Sequence, residues 1–325
     1  MARNKDRVHA FEQAVVTWTR QIKVVLKGDP EAGTEKGGVV VSHPGPLHEL
    51  SFWTTRSSNL ASIRAQLHSP RVRRVVRILE LNGSSYCDAF RRLESDVGAA
   101  SDEADDTCKF LATLREDLEL LETAPPDAFP ELPSRFAPLL HRALLVWKHS
   151  KFYNVPSRLA VLLRQTCSAL VERAREFVDA EAIFQLEPPE ALERLSTALE
   201  VCAAYKAAYF ATKETSESNC ADNPWKFQNA VIFARLDLFI ERCHDLHELA
   251  LTVVQFARLE RIEIGGNKGR SLSASIAQMH SDFSATIEAF QRITYDALDI
   301  ADKRFDDDFY VFRTDVKAVE RRLAS

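Results

Sequence analysis

Trp225 to Ile264 reads WKFQNAVIFARLDLFIERCHDLHELALTVVQFARLERIEI, a stretch with neither proline nor glycine. Leu236, Phe239, Cys243, Leu246, Ala250, Val253 and Ala257 recur within it at three- and four-residue steps. That is the repeat of one face of an α-helix. A helix over the whole stretch would run about 60 Å at ~1.5 Å per residue. Helices of that length make rods rather than compact pockets.

Outward from this stretch the breakers set the organisation. All 13 prolines lie at or before Pro224, and after it only Gly265, Gly266 and Gly269 interrupt the chain. A second uninterrupted stretch therefore covers 270–325. Within it, Ile276, Met279, Phe283, Ile287 and Phe290 follow helical spacing, and Phe305, Phe309, Phe312, Val316, Val319 and Leu323 form a heptad-like seam. Leu159, Leu162, Leu163, Thr166, Leu170, Ala174 and Phe177 mark a further helix face. The pattern predicts helices near 6–27, 46–68, 70–82, 84–97, 101–123, 134–153, 156–182, 189–215, 225–264, 272–302 and 304–324. Pro70, Pro156 and Pro189 fall near predicted helix starts, where a missing N–H costs little. Ser69 and Asp222 are suited to N-terminal capping. Gly28–Pro46 and Pro125–Pro133 read as loops, the latter too proline-dense for helix. Val39–Val41 is too short to support a sheet. The expectation is an all-α fold, an elongated series of antiparallel helical bundles. Along the chain it divides into an N-terminal helix and linker (1–45), two bundles (46–133 and 134–224) and a long-helix bundle (225–325).

Composition agrees. Hydrophobic residues make up 46% and charged residues 27%, a globular balance, and ten glycines in 325 residues are too few for a turn-rich β protein. A net charge of −5 implies no bulk attraction to nucleic acid or a membrane surface. No run approaches the ~18 apolar residues of a membrane helix. The six cysteines, Cys87, Cys108, Cys167, Cys202, Cys220 and Cys243, are irregularly spaced and read as free thiols.

No motif assembles into catalytic chemistry. Gly265-Gly266-Asn267-Lys268-Gly269-Arg270-Ser271 superficially resembles a phosphate loop. Ile264 stands where the first glycine belongs, Arg270 replaces the lysine, and helix rather than strand precedes it. It reads as an interhelical turn whose glycines supply positive φ. Cys243, His244 and His247 offer too few ligands for a closed zinc site, and Cys243 falls on the apolar stripe. Asp306-Asp307-Asp308 fails the Asp-Asp-x-x-Asp metal pattern at Tyr310, and Asp102-Glu103-Ala104-Asp105-Asp106 lacks its spacing. Both read as acidic faces near helix N-termini. Arg71, Arg73, Arg74 and Arg77 form a basic patch without interleaved aromatics, a solvated face or an ionic partner contact rather than a nucleic-acid site. Trp18, Trp53, Trp147 and Trp225 lie near helix ends or crossings and read as packing anchors. Catalytic, cofactor-binding and metal-binding residues are accordingly expected to be none.

Several strings carry a resemblance. Gly45-Pro46-Leu47-His48-Glu49-Leu50-Ser51-Phe52-Trp53 is followed by Ser69–Val76 and by Asp105–Leu114 (Asp-Asp-Thr-Cys-Lys-Phe-Leu-Ala-Thr-Leu). Trp147-Lys148-His149-Ser150-Lys151-Phe152-Tyr153-Asn154, Leu162-Leu163-Arg164, Trp225-Lys226-Phe227, Arg235-Leu236-Asp237 and Gln255–Glu260 come next. Ile262-Glu263-Ile264-Gly265-Gly266-Asn267-Lys268-Gly269, Tyr295–Asp299 and Phe305–Phe309 complete the series. In this order they resemble the tail, or N-terminal region, of dynein heavy chains. The block ending at Gly269 is more similar to ciliary (axonemal) than to cytoplasmic members.

The resemblance implies a non-catalytic tail segment, a structural scaffold for motor assembly and docking in cilia. It implies other heavy chains, intermediate and light chains, or docking and axonemal proteins as partners. It implies no cofactor, nucleic acid or membrane, an indirect association with microtubules, and a place in the cilium or flagellum axoneme. A motor ring and an N-terminal dimerisation region have no counterpart in these strings. Two origins fit: a piece of a heavy chain, or a truncated paralogue beginning at its own Met1. The alternative reading is a non-motor helical adaptor or tether. For protein interaction the candidate residues are Phe305, Phe309, Phe312, Val316, Val319 and Leu323. Their seam either packs within its own bundle or continues into a neighbouring bundle or partner.

Overall fold

The computed structural model describes residues 2–28, 45–179, 183–219, 228–257 and 266–324. Among them every regular element is helical, as the spacing predicts. In chain order these are α1 (Ala2–Leu26), α2 (Pro46–Leu67), α3 (Pro70–Leu81), α4 (Tyr86–Leu111), α5 (Arg115–Thr123), α6 (Pro133–His149), α7 (Pro156–Val178), α8 (Pro188–Asn219), α9 (Asn229–Ala257), α10 (Asn267–Gln291) and α11 (Arg304–Ala324). Two 3-10 segments, Ala112–Leu114 and Pro126–Glu131, flank α5. Five of these α-helices begin on proline, where the absent N–H would have had no intrahelical partner. The Ser69 hydroxyl caps α3 by accepting from the Val72 N–H at 3.4 Å. No helix among the described residues is long and apolar enough to cross a membrane.

Several boundaries depart from expectation. The helices read at 84–97 and 101–123 are one helix through Gly98, followed by a 3-10 turn and α5. A lone glycine costs about 1 kcal/mol in a helix. Phe90, Leu93, Val97, Ser101, Ala104, Thr107 and Leu111 carry a buried face straight across it, which outweighs that cost. Pro126–Glu131 is 3-10 helix rather than loop, with Ala128 N–H bonded to the Pro125 carbonyl at 2.9 Å. Proline's fixed φ suits the tighter turn. α6 stops at His149 and α10 at Gln291, earlier than the spacing suggests. Asn267 to Ser271 form the first turn of α10 rather than a loop, and Gly266, with φ +90°, directly precedes them. Residues 29–44, Cys220, Asp222, Trp225 and 258–265 lie outside the described residues, as do the readings that fall on them.

The described residues group into two compact units that interleave along the sequence. The first takes its residues from Met1–Glu119 and His141–Gln165, the second from Leu120–Leu140, Thr166–Asn223 and Phe227–Ser325. In the first, α2 and α1 both lie against α4, and α3 contacts all three. Val15, Ile22, Leu67, Leu79, Phe90, Leu93 and Val97 form one core cluster there, with Trp18 and Ile63 packed onto it. In the second, α8 lies against α9, and α10 against both α9 and α11. Most of the predicted faces are buried: Leu170 and Ala174 of α7, Leu236, Phe239 and Cys243 of α9, and Met279 and Phe283 of α10 are at most 4% exposed, while Ala257, at the end of the α9 face, is exposed. Each large side chain so buried contributes about 1.5–3 kcal/mol.

Candidate interaction site

α11 carries the candidate seam. Phe305, Phe309, Phe312, Val316 and Val319 are all buried, and the Leu323 side chain lies outside the described residues. The rings form a connected series. Phe305 stacks on Phe309 at 5.5 Å and Phe309 on Phe312 at 5.7 Å, while Phe290 of α10 meets Phe312 edge-on at 5.6 Å. Phe283 joins this series to Phe256 of α9, their rings stacked at 4.1 Å. The three seam phenylalanines are therefore packed against rings of the second unit, and Val316 and Val319 are buried beside them on the same face. The face of α11 left to solvent carries Tyr310 (74% exposed) and Val311 (57%). Arg313 pairs with Glu248, and Arg322 with Asp282 at 2.8 Å, tying the flanks of α11 to α9 and α10.

Arg242, on the apolar face of α9, organises the connector between α10 and α11. Its side chain is 5% exposed. It donates to the carbonyls of Ala297 at 2.7 Å, Asp299 at 3.3 Å and Asp302 at 3.2 Å, and to the Asp306 carboxylate at 2.8 Å. The guanidinium also lies 4.5 Å from the centre of the Phe305 ring. The connector supports itself as well. Asp296, Asp299 and Asp302 accept from the backbone N–H of Leu298, Ala301 and Arg304, two residues on in each case. The side chain and N–H of Arg304 hold the Asp302 carboxyl down to about 2. Arg175 of α7 pairs with Asp296. Spacing alone does not single out Arg242. The available signal is a charged residue three past Phe239 and four before Leu246, on the stripe that is otherwise apolar.

The first unit has a matching arrangement. Glu49, 6% exposed, accepts from the Trp53 indole N–H at 3.3 Å and the Tyr153 hydroxyl at 3.2 Å. Burial and the neighbouring Glu49 carboxylate raise the Tyr153 hydroxyl well above its ordinary range, so it remains a donor. Arg158 stacks over Trp53, 5.3 Å from its ring centre, bonds the Phe152 carbonyl at 2.9 Å and pairs with Glu103. Asp106 accepts from the Ser150 hydroxyl at 2.6 Å and from the backbone N–H of Lys151 and Phe152, fixing the connector between α6 and α7.

The acidic runs thus acquire specific roles. Asp102 pairs with Arg64 at 3.2 Å and Asp105 accepts from Ser57 at 2.6 Å. This run lies in the body of α4, not at a helix start, because α4 begins at Tyr86. Asp306 serves Arg242, and Asp308 accepts from the Tyr295 hydroxyl. Cys243 is buried while His244 is exposed beside it, and no group of three metal-ligating side chains exists among the described residues. Burial pushes the Cys167, Cys202 and Cys243 thiols upward, Cys202 to about 12. None of the five described cysteines is disulfide-bonded.

Helix faces that pack on one another, and polar side chains committed to the connectors, define an all-helical packing protein. Residues 8–325 match the sequence model described as dynein heavy chain, N-terminal region 1. The chain is 45% identical, over 99% of its length, to the dynein beta chain of the flagellar outer arm of Chlamydomonas reinhardtii. It is 36% identical over 99% to the ciliary dynein beta chain of Tripneustes gratilla, and 32% identical over 98% to human dynein axonemal heavy chain 17. It spans 7% of the length of each of these three relatives. The chain belongs to the dynein heavy chain N-terminal region family.

Proposed function

We propose that this chain is a tail segment of a ciliary or flagellar dynein heavy chain. It acts as a non-catalytic scaffold through which a motor complex is assembled and docked on the axoneme. One observation carries the reading. The polar residues of the family-like strings, Glu49, Asp106, Ser150 and Asp306 among them, are engaged in holding helices and connectors. Such an arrangement presents fixed helical surfaces to other proteins, and it supports assembly rather than turnover. Partners on this reading are other heavy chains, intermediate and light chains, or docking proteins, with contact to the microtubule indirect.

The test is expression of the tagged chain in a ciliated cell, followed by isolation of axonemes and salt extraction of their dyneins. The expected result is co-purification with dynein subunits in fixed ratio and no ATP hydrolysis by the purified chain. Confinement to cytoplasmic vesicles, or nucleotide turnover by the chain alone, would overturn the reading.

A further inference from the structure

A cleft of about 500 Å³ opens on the first unit between α1, the C-terminal half of α2, and α3. Trp18 and Ile22, Ile63 and Leu67, and Val72 and Val75 contribute its apolar wall, two from each helix. Each pair is spaced three or four residues apart, so the apolar rows of three helices converge on one trough. Ile22 and Leu67 are buried in its floor, while Trp18, Ile63, Val72 and Val75 are half-buried.

The one charge in the wall of the trough is positive. Arg71 stands in the wall and Arg74 follows one turn further along the same short helix, both exposed, while Arg73 and Arg77 fall on the far side of α3. Neither the Arg71 nor the Arg74 side chain has a hydrogen-bond or ion-pair partner among the described residues. Arg56, Arg64, Arg91, Arg142 and Arg158 of the same unit are all engaged. The other polar wall members, Gln21, Gln66 and Ser69, are uncharged, and no carboxylate lines the trough among the described residues. In a chain of net charge −5, two exposed cations with no partner among the described residues, set at the edge of an apolar trough, give that edge a positive charge that an acidic partner complements.

We propose that this cleft is a docking groove for an acidic amphipathic helix of a partner protein. The inference rests on the tail-scaffold reading for the existence of partners. The helix lays apolar residues spaced i, i+3, i+4 and i+7 into the trough and sets carboxylates against Arg71 and Arg74. A concave apolar trough fits a convex helix. An anionic bilayer would engage the arginines and leave the trough unfilled.

The full chain is titrated with a fluorescent peptide of about 18 residues, leucine at the apolar positions and glutamate at most others. A scrambled peptide of the same composition and phosphatidylserine vesicles serve as comparisons. The expected result is binding of the patterned peptide about tenfold or more tighter than the scrambled one, with hydrogen-exchange protection appearing at 18–22 and 63–75. The double variant Arg71→Glu/Arg74→Glu, at exposed positions, keeps its melting curve and loses about tenfold or more in affinity. A peptide with lysine in place of glutamate recovers binding to that variant. Absence of binding, equal affinity for the scrambled peptide, protection elsewhere, or binding of vesicles in place of peptide overturns the groove. So does a trough already fully protected in the chain alone. If the peptide arms fail while the charge-reversed chain still joins dynein subunits, the groove falls and the scaffold reading stands. If the peptide docks in a chain that joins no dynein subunit, the groove stands and the scaffold reading falls.

Discussion

Replacing Arg242 with methionine keeps the aliphatic stem and removes the guanidinium. The Ala297 carbonyl, in a residue that is 0% exposed, then loses its donor at 2.7 Å. An unmet buried acceptor costs about 1–3 kcal/mol. The carbonyls of Asp299 and Asp302 belong to half-buried residues and recover water in part, so each adds no more than about 1 kcal/mol. The cation over Phe305 adds about 0.5–1 kcal/mol. Asp306 is 43% exposed and rehydrates once its partner is gone, which keeps the total near the low end for a broken buried ion pair, about 3 kcal/mol. Urea unfolding followed by circular dichroism measures this as a lowered midpoint of the transition belonging to the second unit. Hydrogen exchange should accelerate at the Leu298, Ala301 and Arg304 amides. Arg242→Lys should fall between wild type and methionine, since one ammonium does not span the same fork of acceptors. Asp306→Asn should cost less than about 1 kcal/mol. A methionine variant within about 0.5 kcal/mol of wild type, or an Asp306→Asn variant as damaged as it, would refute the carbonyl clamp.

Four further outcomes follow from the same contacts. Tyr153→Phe should lower the stability of the first unit by about 1–2 kcal/mol by taking one donor from buried Glu49; an unchanged tryptophan-fluorescence midpoint would sink that account. Gly266→Val meets no atom within 4 Å of its Cβ, so its penalty is the strain of φ +90° alone, about 1–3 kcal/mol; a melting curve identical to wild type would contradict it. Val319→Ser, alone or with Leu323→Ser, should destabilise the second unit, since Val319 is 6% exposed; intact folding with lost assembly onto dynein subunits would instead assign the seam's end to a partner. Asp302 is depressed to about 2 from an ordinary 3.8, so its pairing stabilises above pH 3.8 and is lost as pH falls towards 2; Asp302→Asn should flatten that acid limb, and an unaltered limb would count against it.

Helical faces are legible because packing obeys one arithmetic. Leu236, Phe239 and Cys243, or Met279 and Phe283, lie where steps of three and four place them. What escapes is decided by contacts distant in sequence. Gly98 looks like a stop, yet the buried row from Phe90 to Leu111 runs through it. Residues 292–303 continue an acceptable helical composition, yet α10 ends at Gln291 because a folded connector there is answered by Arg242 and Arg175. The aspartate runs declare charge but not purpose, since Ser57, Arg64, Ser150 and Arg242 come from other parts of the chain. Interleaving of the two units is likewise invisible to any division made by cutting the sequence into consecutive lengths.

Arg242 also sets an order in time. The groups it holds lie 55 to 64 residues further along the chain. During synthesis the whole of α9 is therefore made well before the groups that its guanidinium holds. Until the connector emerges, that cation must stay wet, and the stripe between Phe239 and Leu246 cannot close over it. A chain halted after α10 would carry a persistent hydrated breach in an otherwise apolar wall. The connector and α11 thus act as the closing piece for a helix made much earlier, and this bundle reaches its full stability only when α11 has docked.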